Sequence, residues 1–135
     1  MSCRFCEIAR GETAAHVVYS DDALLAFLDH RPLFAGHALL IPREHVETIW
    51  DAPAELLVPL ALATHRLSVA IRDAMEAEGV FNAVNNVVSQ SVPHLHVHVV
   101  PRRRKDGLRG FFWPRTKYRS EEEAEAVAAS IRRRL

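Results

Sequence analysis

The sequence predicts a single α+β domain with a mainly antiparallel, five-stranded sheet, and three observations carry this prediction. Five short β-favouring runs are bounded by turn residues or prolines. One long segment between the third and fourth runs has helical periodicity. The length of 135 residues, with 49% hydrophobic and 25% charged residues, suits one globular domain covering 1–135.

The first three strands are predicted in the amino-terminal third of the chain. The runs AHVVYS and ALLAFLD flank Asp21 and Asp22, and this turn-prone pair predicts a β-hairpin. The run HALLIP predicts a third strand. That strand should stop at Pro42, because proline cannot donate a ladder hydrogen bond.

The long helix is predicted in the segment APAELLVPLALATHRLSVAIRDAMEAEG. Its helical spacing predicts one buried stripe, made of Leu57, Leu60, Thr64, Leu67, Ile71 and Met75. Pro59 should lie in the first turn or mark a kink. Gly79 is predicted to cap the carboxyl end of the helix.

The remaining elements follow in chain order. VFNAVNN predicts a fourth strand, VVSQS a loop, and PHLHVHVVP a fifth strand between Pro93 and Pro101. A core over 1–101 is then followed by a basic segment and a final helix within 102–135. Ser120 and Glu123 form a candidate capping box for that helix, whose arginine-rich end complements the helix dipole.

Charge and cysteine content narrow the class of protein. Basic and acidic residues are equal at 17 each, so bulk attraction to nucleic acid or to an anionic membrane is not indicated. The start, MSCRFCEIARGE, lacks the apolar stretch of a signal peptide or membrane span, and we expect a cytoplasmic protein. A reducing compartment disfavours a disulfide between Cys3 and Cys6. Their two-residue gap suits a metal knuckle or a redox pair.

Three histidines alternate in the predicted fifth strand. Because successive side chains of a strand point to opposite faces, His94, His96 and His98 should share one face while the intervening apolar residues enter the core. Three interpretations of this row are open. It could be a catalytic metal site, a nucleophilic imidazole that attacks phosphorus, or a strand with incidental polar residues. A catalytic metal site would need a carboxylate or another histidine nearby in the sequence. Immediately after His98, however, only apolar residues and arginines follow.

The segment HLHVHVV resembles the signature of the histidine triad superfamily of nucleotide hydrolases and transferases. FCEIARGETAAHVVYSDDALLAFLDHRPLFAGHALLIPREH is similar to the amino-terminal half of that family, and NAVNN with QSVPHLHVHVVPR to its catalytic half. The resemblance covers most of 3–102. It implies a five-stranded antiparallel sheet in a homodimer whose two sheets join into one.

The same resemblance implies the chemistry. A histidine attacks the α-phosphate of a purine nucleotide, and a nucleotidyl-histidine intermediate forms, which water or another acceptor then releases. A non-catalytic nucleotide-binding regulatory protein is the alternative. Neither the leaving group nor the physiological substrate is predicted by the sequence.

The resemblance assigns catalytic positions. His96 has the place of the nucleophile, His98 that of a phosphate contact, and His37 that of a fourth histidine near the site. Gln90 and Ser91 stand where the family touches the scissile phosphate and the leaving atom.

Four further positions are implied to bind the nucleotide. Asp29 corresponds to the acidic residue that holds the ribose hydroxyls, and Asn85 to an asparagine near phosphate or ribose. Ile8 and Phe27 correspond to the base pocket, although both could be core residues in any fold. His16, His30 and His65 match no family position, and we expect them at the surface.

A structural zinc is implied by the zinc-bearing members of the superfamily. Cys3 and Cys6 are too few alone, because a structural zinc usually takes four ligands. In those members a histidine after the third strand and the first triad histidine complete the set, and here they are His45 and His94. One zinc per chain is expected, and His94 is then structural more than catalytic.

Two segments either differ from the sequence pattern of the family or lie outside the part of the chain that resembles it. The loop NNVVSQS is shorter than the family pattern NNGxxAGQ and lacks its glycines. The segment PRRRKDGLRGFFWPRTKYR is either a solvated connection or a contact for an extended leaving group or a nucleic-acid end, and nucleic acid is not favoured. Within it, Phe111, Phe112 and Trp113 could stack a base, but packing is favoured.

Overall fold

The computed structural model describes residues 2–108 and 116–135. The described helices are α1 (Arg4–Ala9), α2 (Ala54–Ala74) and α3 (Glu121–Arg132), with a short 3-10 helix at Ile49–Asp51. The strands are β1 (Val17–Ser20), β2 (Leu24–Leu28), β3 (Ala38–Pro42), β4 (Gly79–Ala83) and β5 (Val97–Arg102). They form one antiparallel sheet in the order β1-β2-β3-β5-β4, which confirms the predicted fold class.

The amino-terminal hairpin is confirmed. The Asp21 carboxylate accepts hydrogen bonds from the backbone N–H groups of Ala23 and Leu24, at 2.9 and 2.7 Å, and it therefore closes the turn between β1 and β2. β3 ends at Pro42, as predicted. β2 and β3 are buried on both faces, because a helix covers each side of the sheet.

The sheet separates two hydrophobic clusters. The larger one packs α2 against one face and includes Leu40, Leu60, Leu67 and Val99. The smaller one packs α1 against the other face; its buried members are Phe5, Ile8, Leu25, Phe27, Leu39 and Ile41. The short helix α1 therefore covers the same face of the sheet as the histidines described below.

The buried stripe of α2 differs from the prediction at its amino-terminal end. Leu60, Leu67 and Ile71 are buried as predicted. Leu57 is exposed, whereas Leu56 and Ala63 are buried, because the helix is rotated about its axis relative to the predicted stripe. By length and composition α2 is apolar enough to cross a membrane, but its buried stripe packs on the sheet, as a core helix does.

Gly79 does not cap α2, and Pro59 does not lie in its first turn, so a kink at Pro59 stays a prediction. Pro59 lies beyond the first turn of α2 on its exposed side, so the carbonyl group that loses its N–H partner can meet solvent. The helix ends at Ala74, and Glu76 takes the left-handed conformation at φ 51°. Gly79 is instead the first residue of β4.

The triad segment is only partly a strand. β5 begins at Val97 and not at Pro93, because the backbone N–H of Leu95 donates to the carbonyl of Val46 at 2.7 Å, outside the sheet ladder. The predicted alternation nevertheless holds. Leu95, Val97 and Val99 enter the larger cluster, while the histidines point to the other face.

The carboxyl-terminal region begins with a folded turn. Arg102 pairs with Asp106, Arg104 pairs with Glu78, and Arg103 donates to a backbone carbonyl. The Ser120 hydroxyl caps α3 by accepting from the N–H of Glu123 at 3.1 Å. The carboxylate of Glu123 accepts from Arg119 and not from the N–H of Ser120, so only half of the capping box forms. Phe111, Phe112 and Trp113 lie outside the described residues.

Candidate active site and metal centre

A row of imidazoles crosses the face of the sheet that α1 partly covers. The ring centroids of His96 and His98 lie 5.0 Å apart, and those of His98 and His37 lie 5.2 Å apart. At the other end, the rings of His94 and His45 lie 5.0 Å apart. His37, His98 and His96, the three histidines predicted near the chemistry, thus form one row with His94 and His45 of the predicted metal site.

The hydrogen bond of His96 fixes its tautomer. Its Nδ1 lies 2.7 Å from the backbone carbonyl oxygen of His94. A carbonyl only accepts, so Nδ1 carries the proton and donates. In the neutral ring the other nitrogen, Nε2, then holds the lone pair. The ring is buried, with 3% exposure, and packs edge-on against Phe5 at 5.1 Å, which restricts its rotation.

His37 and His98 form a hydrogen-bonded pair. The backbone N–H of Leu33 donates to Nδ1 of His37 at 3.0 Å, so in the neutral ring Nε2 of His37 carries the proton. That Nε2 lies 2.9 Å from Nδ1 of His98 and donates to it. The remaining nitrogen of His98, Nε2, therefore carries a proton and is a donor.

Both imidazoles of this pair are neutral near pH 7. Burial, with repulsion from His96 and His37, lowers the pKa of His98 to about 4. Burial also lowers the pKa of His37, although the nearby Asp29 carboxylate opposes that shift. The pair therefore carries no resting charge at that pH, and Nε2 of His98 is a neutral hydrogen-bond donor.

Asp29, His37 and His98 come close enough together to suggest a second metal site, which bears on the metal-hydrolase alternative. A carboxylate oxygen of Asp29 lies 3.7 Å from Nε2 of His37. However, Nε2 of His37 carries a proton because Nδ1 accepts from Leu33. Ligation through Nε2 would move that proton to Nδ1, where it would face the Leu33 N–H donor. The geometry favours a hydrogen-bonded imidazole pair over metal ligation here.

A cavity of about 550 Å³, called the first cavity below, opens beside this row. Its lining includes six residues that the sequence predicts for the site: Ile8, Phe27, Asp29, Ser91, His96 and His98. Phe5 and Leu39 add apolar surface to the end formed by α1, β2 and β3. One end is therefore apolar and the other polar, which suits a ligand with a flat apolar part and a charged part.

The structure places the other two predicted contacts elsewhere. The amide nitrogen of Gln90 donates to the carbonyl of Glu47 at 2.6 Å, and its amide oxygen accepts from the N–H of Val87 at 3.0 Å. The Gln90 side chain thus closes its own loop and does not line the first cavity. Asn85 lines a neighbouring cavity of about 680 Å³, called the second cavity, which shares Asp29 and His98 with the first.

The loop that lacks the family glycines still has left-handed backbone. Val87 lies at φ 71° and Ser89 at φ 63°. These residues immediately follow the asparagine pair and immediately precede Gln90, where the family pattern NNGxxAGQ carries glycine. A β-branched residue is strained at such a φ. The loop therefore keeps this backbone shape despite its side chains.

Cys3, Cys6, His45 and His94 converge, with their four ligand atoms within 4.8 Å of one another. Nδ1 of His94 lies 3.4 Å from the Cys3 sulfur and 3.5 Å from the Cys6 sulfur. Nδ1 of His45 lies 3.3 Å from the Cys6 sulfur and 3.2 Å from Nδ1 of His94. A tetrahedral zinc with bonds of about 2.3 Å to sulfur and about 2.0 Å to nitrogen needs sulfur–nitrogen edges of about 3.5 Å and a nitrogen–nitrogen edge of about 3.3 Å.

The tautomer of His94 suits a metal. Its Nε2 donates to the carbonyl of Pro42 at 2.8 Å, which leaves the lone pair on Nδ1, the atom that faces the cysteines. Cys3 and Cys6 lie at the start of α1, and His45 follows β3. A metal here would tie α1 to the segment that carries the histidine row.

Sequence reasoning missed several groups that shape the site. Phe5 packs against both His94 and His96, and only its position between the two cysteines hinted at this.

Arg31 lines the second cavity. His16 and His30 are exposed as predicted, but both line the first cavity. The Leu33 N–H and the Pro42 carbonyl are backbone groups, which carry no residue-specific signal.

A comparison with protein families decides the relationship. The HIT domain model matches residues 10–105. The chain belongs to the HIT family. Among HIT relatives, a protein named hit from Bacillus subtilis is 35% identical, with 99% of this chain and 94% of the relative covered. The adenylylsulfatase HINT3 of Arabidopsis thaliana is 32% identical, with 98% and 69% covered. The adenosine 5'-monophosphoramidase hnt1 of Schizosaccharomyces pombe is 30% identical, with 97% and 96% covered.

Solved HIT structures share the whole fold. A HIT family member from Bacillus subtilis superposes with a TM-score of 0.91 at 34% identity, covering 100% of this chain and 98% of the other. A zinc-bound histidine triad protein from Mycobacterium smegmatis superposes with a TM-score of 0.76 at 35% identity, covering 100% and 99%. The cysteine and histidine cluster of this chain is compatible with zinc.

Proposed function

We propose that the protein is a nucleotide phosphohydrolase or nucleotidyl transferase that cleaves at the α-phosphate through a covalent nucleotidyl-histidine. The observation that carries this proposal is the fixed tautomer of His96, whose hydrogen bond to the His94 carbonyl leaves a lone pair on Nε2. His96 lines the first cavity beside His98. Relatives named for adenylylsulfatase and monophosphoramidase activity support a nucleotide hydrolase.

The first step forms the intermediate. Nε2 of His96 attacks the α-phosphorus, and the bond from phosphorus to the leaving group breaks with its electron pair moving to the leaving atom. The Nε2–H of His98 donates a hydrogen bond to that atom and stabilises its charge, and any proton the leaving group needs comes from solvent. His37 keeps the proton of His98 on Nε2 by donating to Nδ1 of His98.

The second step releases the nucleotide. Water attacks the phosphorus, the bond from phosphorus to Nε2 of His96 breaks with its electron pair returning to that nitrogen, and the proton lost by water passes to solvent. An acceptor hydroxyl in place of water would make the reaction a transfer. A neutral His98 suits both steps because its Nε2–H stays a hydrogen-bond donor throughout.

The first cavity orients the nucleotide. Ile8 and Phe27 form its apolar end and would hold the base, which the family resemblance makes a purine. Asp29 lies between that end and the histidines and would accept from the ribose hydroxyls. Ser91 lines the cavity with His96 and His98 and would contact the phosphate.

Asn85 lines the second cavity and would contact phosphate or ribose from that side. The Gln90 side chain would act through the shape of its loop.

The metal centre is proposed to hold one structural zinc per chain through Cys3, Cys6, His45 and His94. Its donor distances and its set of two thiols and two imidazoles suit zinc, and four protein ligands leave no open position for catalysis. When bound, zinc supplies a rigid anchor beside the nucleophile. A cytoplasmic location is proposed with it, because a reducing compartment keeps such a cysteine pair available to a metal.

A homodimer with one continuous sheet is the proposed assembly, and the single domain is proposed to extend over 1–135. β4 is an edge strand of the sheet, and an unpaired edge can extend across a two-fold axis. The neighbouring helix α2 exposes apolar side chains such as Val58 at 65% and Leu62 at 60%. Nucleic acid stays the less favoured partner because the first three arginines of the basic segment are already bonded within the fold.

A substrate panel tests the proposal. Wild-type protein, His96→Ala and the control His65→Ala would be assayed on adenosine phosphoramidate, diadenosine polyphosphates and adenylyl sulfate. His65 is exposed on α2 and lines neither cavity. We expect His96→Ala to lose activity and His65→Ala to keep it. Nucleotide binding without turnover by the wild type would instead support the regulatory alternative.

A further inference from the structure

The second cavity continues the histidine row on its side away from the metal centre. Along β5, His98 is followed on the same face by Val100, and both line this cavity. Ala83 and Phe81 of β4 pair with these two residues and line it as well. His98 and Asp29 belong to both cavities. A substrate held at His96 in the first cavity can therefore extend past His98 into the second.

The charges around the second cavity are few. Its titratable or charged lining residues are Asp29, Arg31, His37 and His98. The two imidazoles are neutral near pH 7, so Arg31 is the only full positive charge among the described residues that line it. The Asp29 carboxylate would repel an anion here, and the Arg31 guanidinium offsets that repulsion.

Arg31 is available for a ligand. Its backbone N–H donates to Asp29 at 2.9 Å, which fixes the start of the side chain. The residue is exposed, and its guanidinium forms no hydrogen bond or ion pair with the described part of the chain. Other arginines near this edge of the fold are paired, as Arg102 is with Asp106. A guanidinium without a protein partner at a cavity is suited to a phosphate or sulfate oxyanion.

We infer that the second cavity receives the leaving group and that Arg31 makes the enzyme selective for an anionic leaving group. The inference rests on the proposed function, since it needs attack by His96 in the first cavity. In an in-line displacement the leaving atom departs opposite the nucleophile. When the bond from the α-phosphorus to oxygen breaks, that oxygen keeps the electron pair and leaves as part of a phosphate or sulfate anion. Arg31 stabilises the charge that the departing group carries.

The test compares leaving groups on a common adenylyl donor. Diadenosine triphosphate has ADP as its leaving group, which departs through a phosphate oxygen; adenylyl sulfate has a sulfate, and adenosine phosphoramidate a neutral amine. The value of kcat/KM would be measured for wild type, Arg31→Gln, Arg31→Lys and the control Arg72→Gln. Arg72 is exposed on α2 and lines neither cavity, so its change removes the same net charge elsewhere.

We expect Arg31→Gln to lower the ratio of kcat/KM for the anionic substrates to that for the phosphoramidate by about tenfold, as loss of a charge-assisted contact does. Arg31→Lys should recover part of the ratio, and Arg72→Gln should leave it unchanged. A loss confined to the phosphate or to the sulfate substrate would identify which oxyanion the site takes. An unchanged ratio in an active Arg31→Gln enzyme would overturn the inference alone. A wild type inactive on all three substrates would overturn the proposed function with it.

Discussion

Nε2 of His37 donates a hydrogen bond to Nδ1 of His98 across 2.9 Å. Because of this bond, the proton of the neutral His98 ring is on its other nitrogen, Nε2, which would face the substrate. The bond exists because the Leu33 N–H occupies the other nitrogen of His37. His37 is therefore a positioning residue, which acts on the reaction through His98.

Replacement of His37 tests this role. His37→Gln keeps an amide N–H that can donate to His98, whereas His37→Ala removes the donor. We expect kcat to fall by about 10- to 100-fold in His37→Ala, below the roughly 100- to 10,000-fold of a general acid–base group itself because His37 acts through His98, and less in His37→Gln. Equal losses in both variants, with an unchanged pH profile, would show that His37 only fills space.

Acid should destabilise the fold through His98. The pKa of His98 is lowered to about 4 in the folded protein, against about 6.5 in an unfolded chain. Between these values the unfolded state binds the proton and the folded state does not. The stability is therefore complete above about pH 6.5 and is lost as pH falls towards 4, by at most about 1.4 kcal/mol per pH unit.

Chemical denaturation of wild type and His98→Gln between pH 4 and 7 measures this contribution. The variant lacks the titrating group, so its free energy of unfolding should fall less steeply over that interval. The other titrating groups, including those of the metal centre, are common to both proteins and cancel in the difference. Parallel curves would contradict the assigned protonation of His98.

Removal of the metal should destabilise the fold, and any loss of activity should follow from that loss of structure. Metal analysis of the purified protein should find about one zinc per chain. Cys6→Ser should lose the metal and lower the melting temperature, because metal binding contributes to the free energy of folding. The control His65→Ala should retain both. Turnover lost at once on chelation, while the fold stays intact, would instead indicate a catalytic metal.

The strained loop makes an unusual stability prediction. Val87 is 61% exposed at φ 71°, so Val87→Gly removes backbone strain and little packing. We expect this change to stabilise the protein by about 0.5–1 kcal/mol, since glycine bears a left-handed φ without the Cβ clash. Val88 is 79% exposed without a positive φ, and Val88→Gly should destabilise. Thermal unfolding of the two variants gives the comparison, and losses of the same sign would contradict the assigned strain.

The sequence predicted those parts of the fold that depend on local pattern and on residue identity. The five strands, the long helix and the clustering of Cys3 and Cys6 with His45 follow from periodicity, turn chemistry and family resemblance. The rotation of α2 depends on which side chains fill the space above the sheet, so Leu57 was assigned to the wrong face. The cap at Gly79 was wrong because the turn uses a left-handed Glu76.

The site was predictable where side chains carry the chemistry and not where backbone does. His96 and His98 were found from their alternation. The groups that fix their tautomers are the His94 carbonyl and, through His37, the Leu33 N–H, and any residue could supply them. Gln90 was expected at the phosphate because the family pattern places it there, but in this shorter loop its amide bonds to Glu47.

The central claim is that Nε2 of His96 becomes bonded to phosphorus. Rapid quenching in denaturant at alkaline pH of the protein with an adenylyl substrate, followed by peptide mass spectrometry at neutral to alkaline pH, measures this bond, because a phosphorus–nitrogen bond is labile in acid. We expect an added adenylyl group on the peptide that contains His96, and none in His96→Ala. Turnover by the wild type with the adenylyl group on another residue, or turnover retained in His96→Ala, would contradict it.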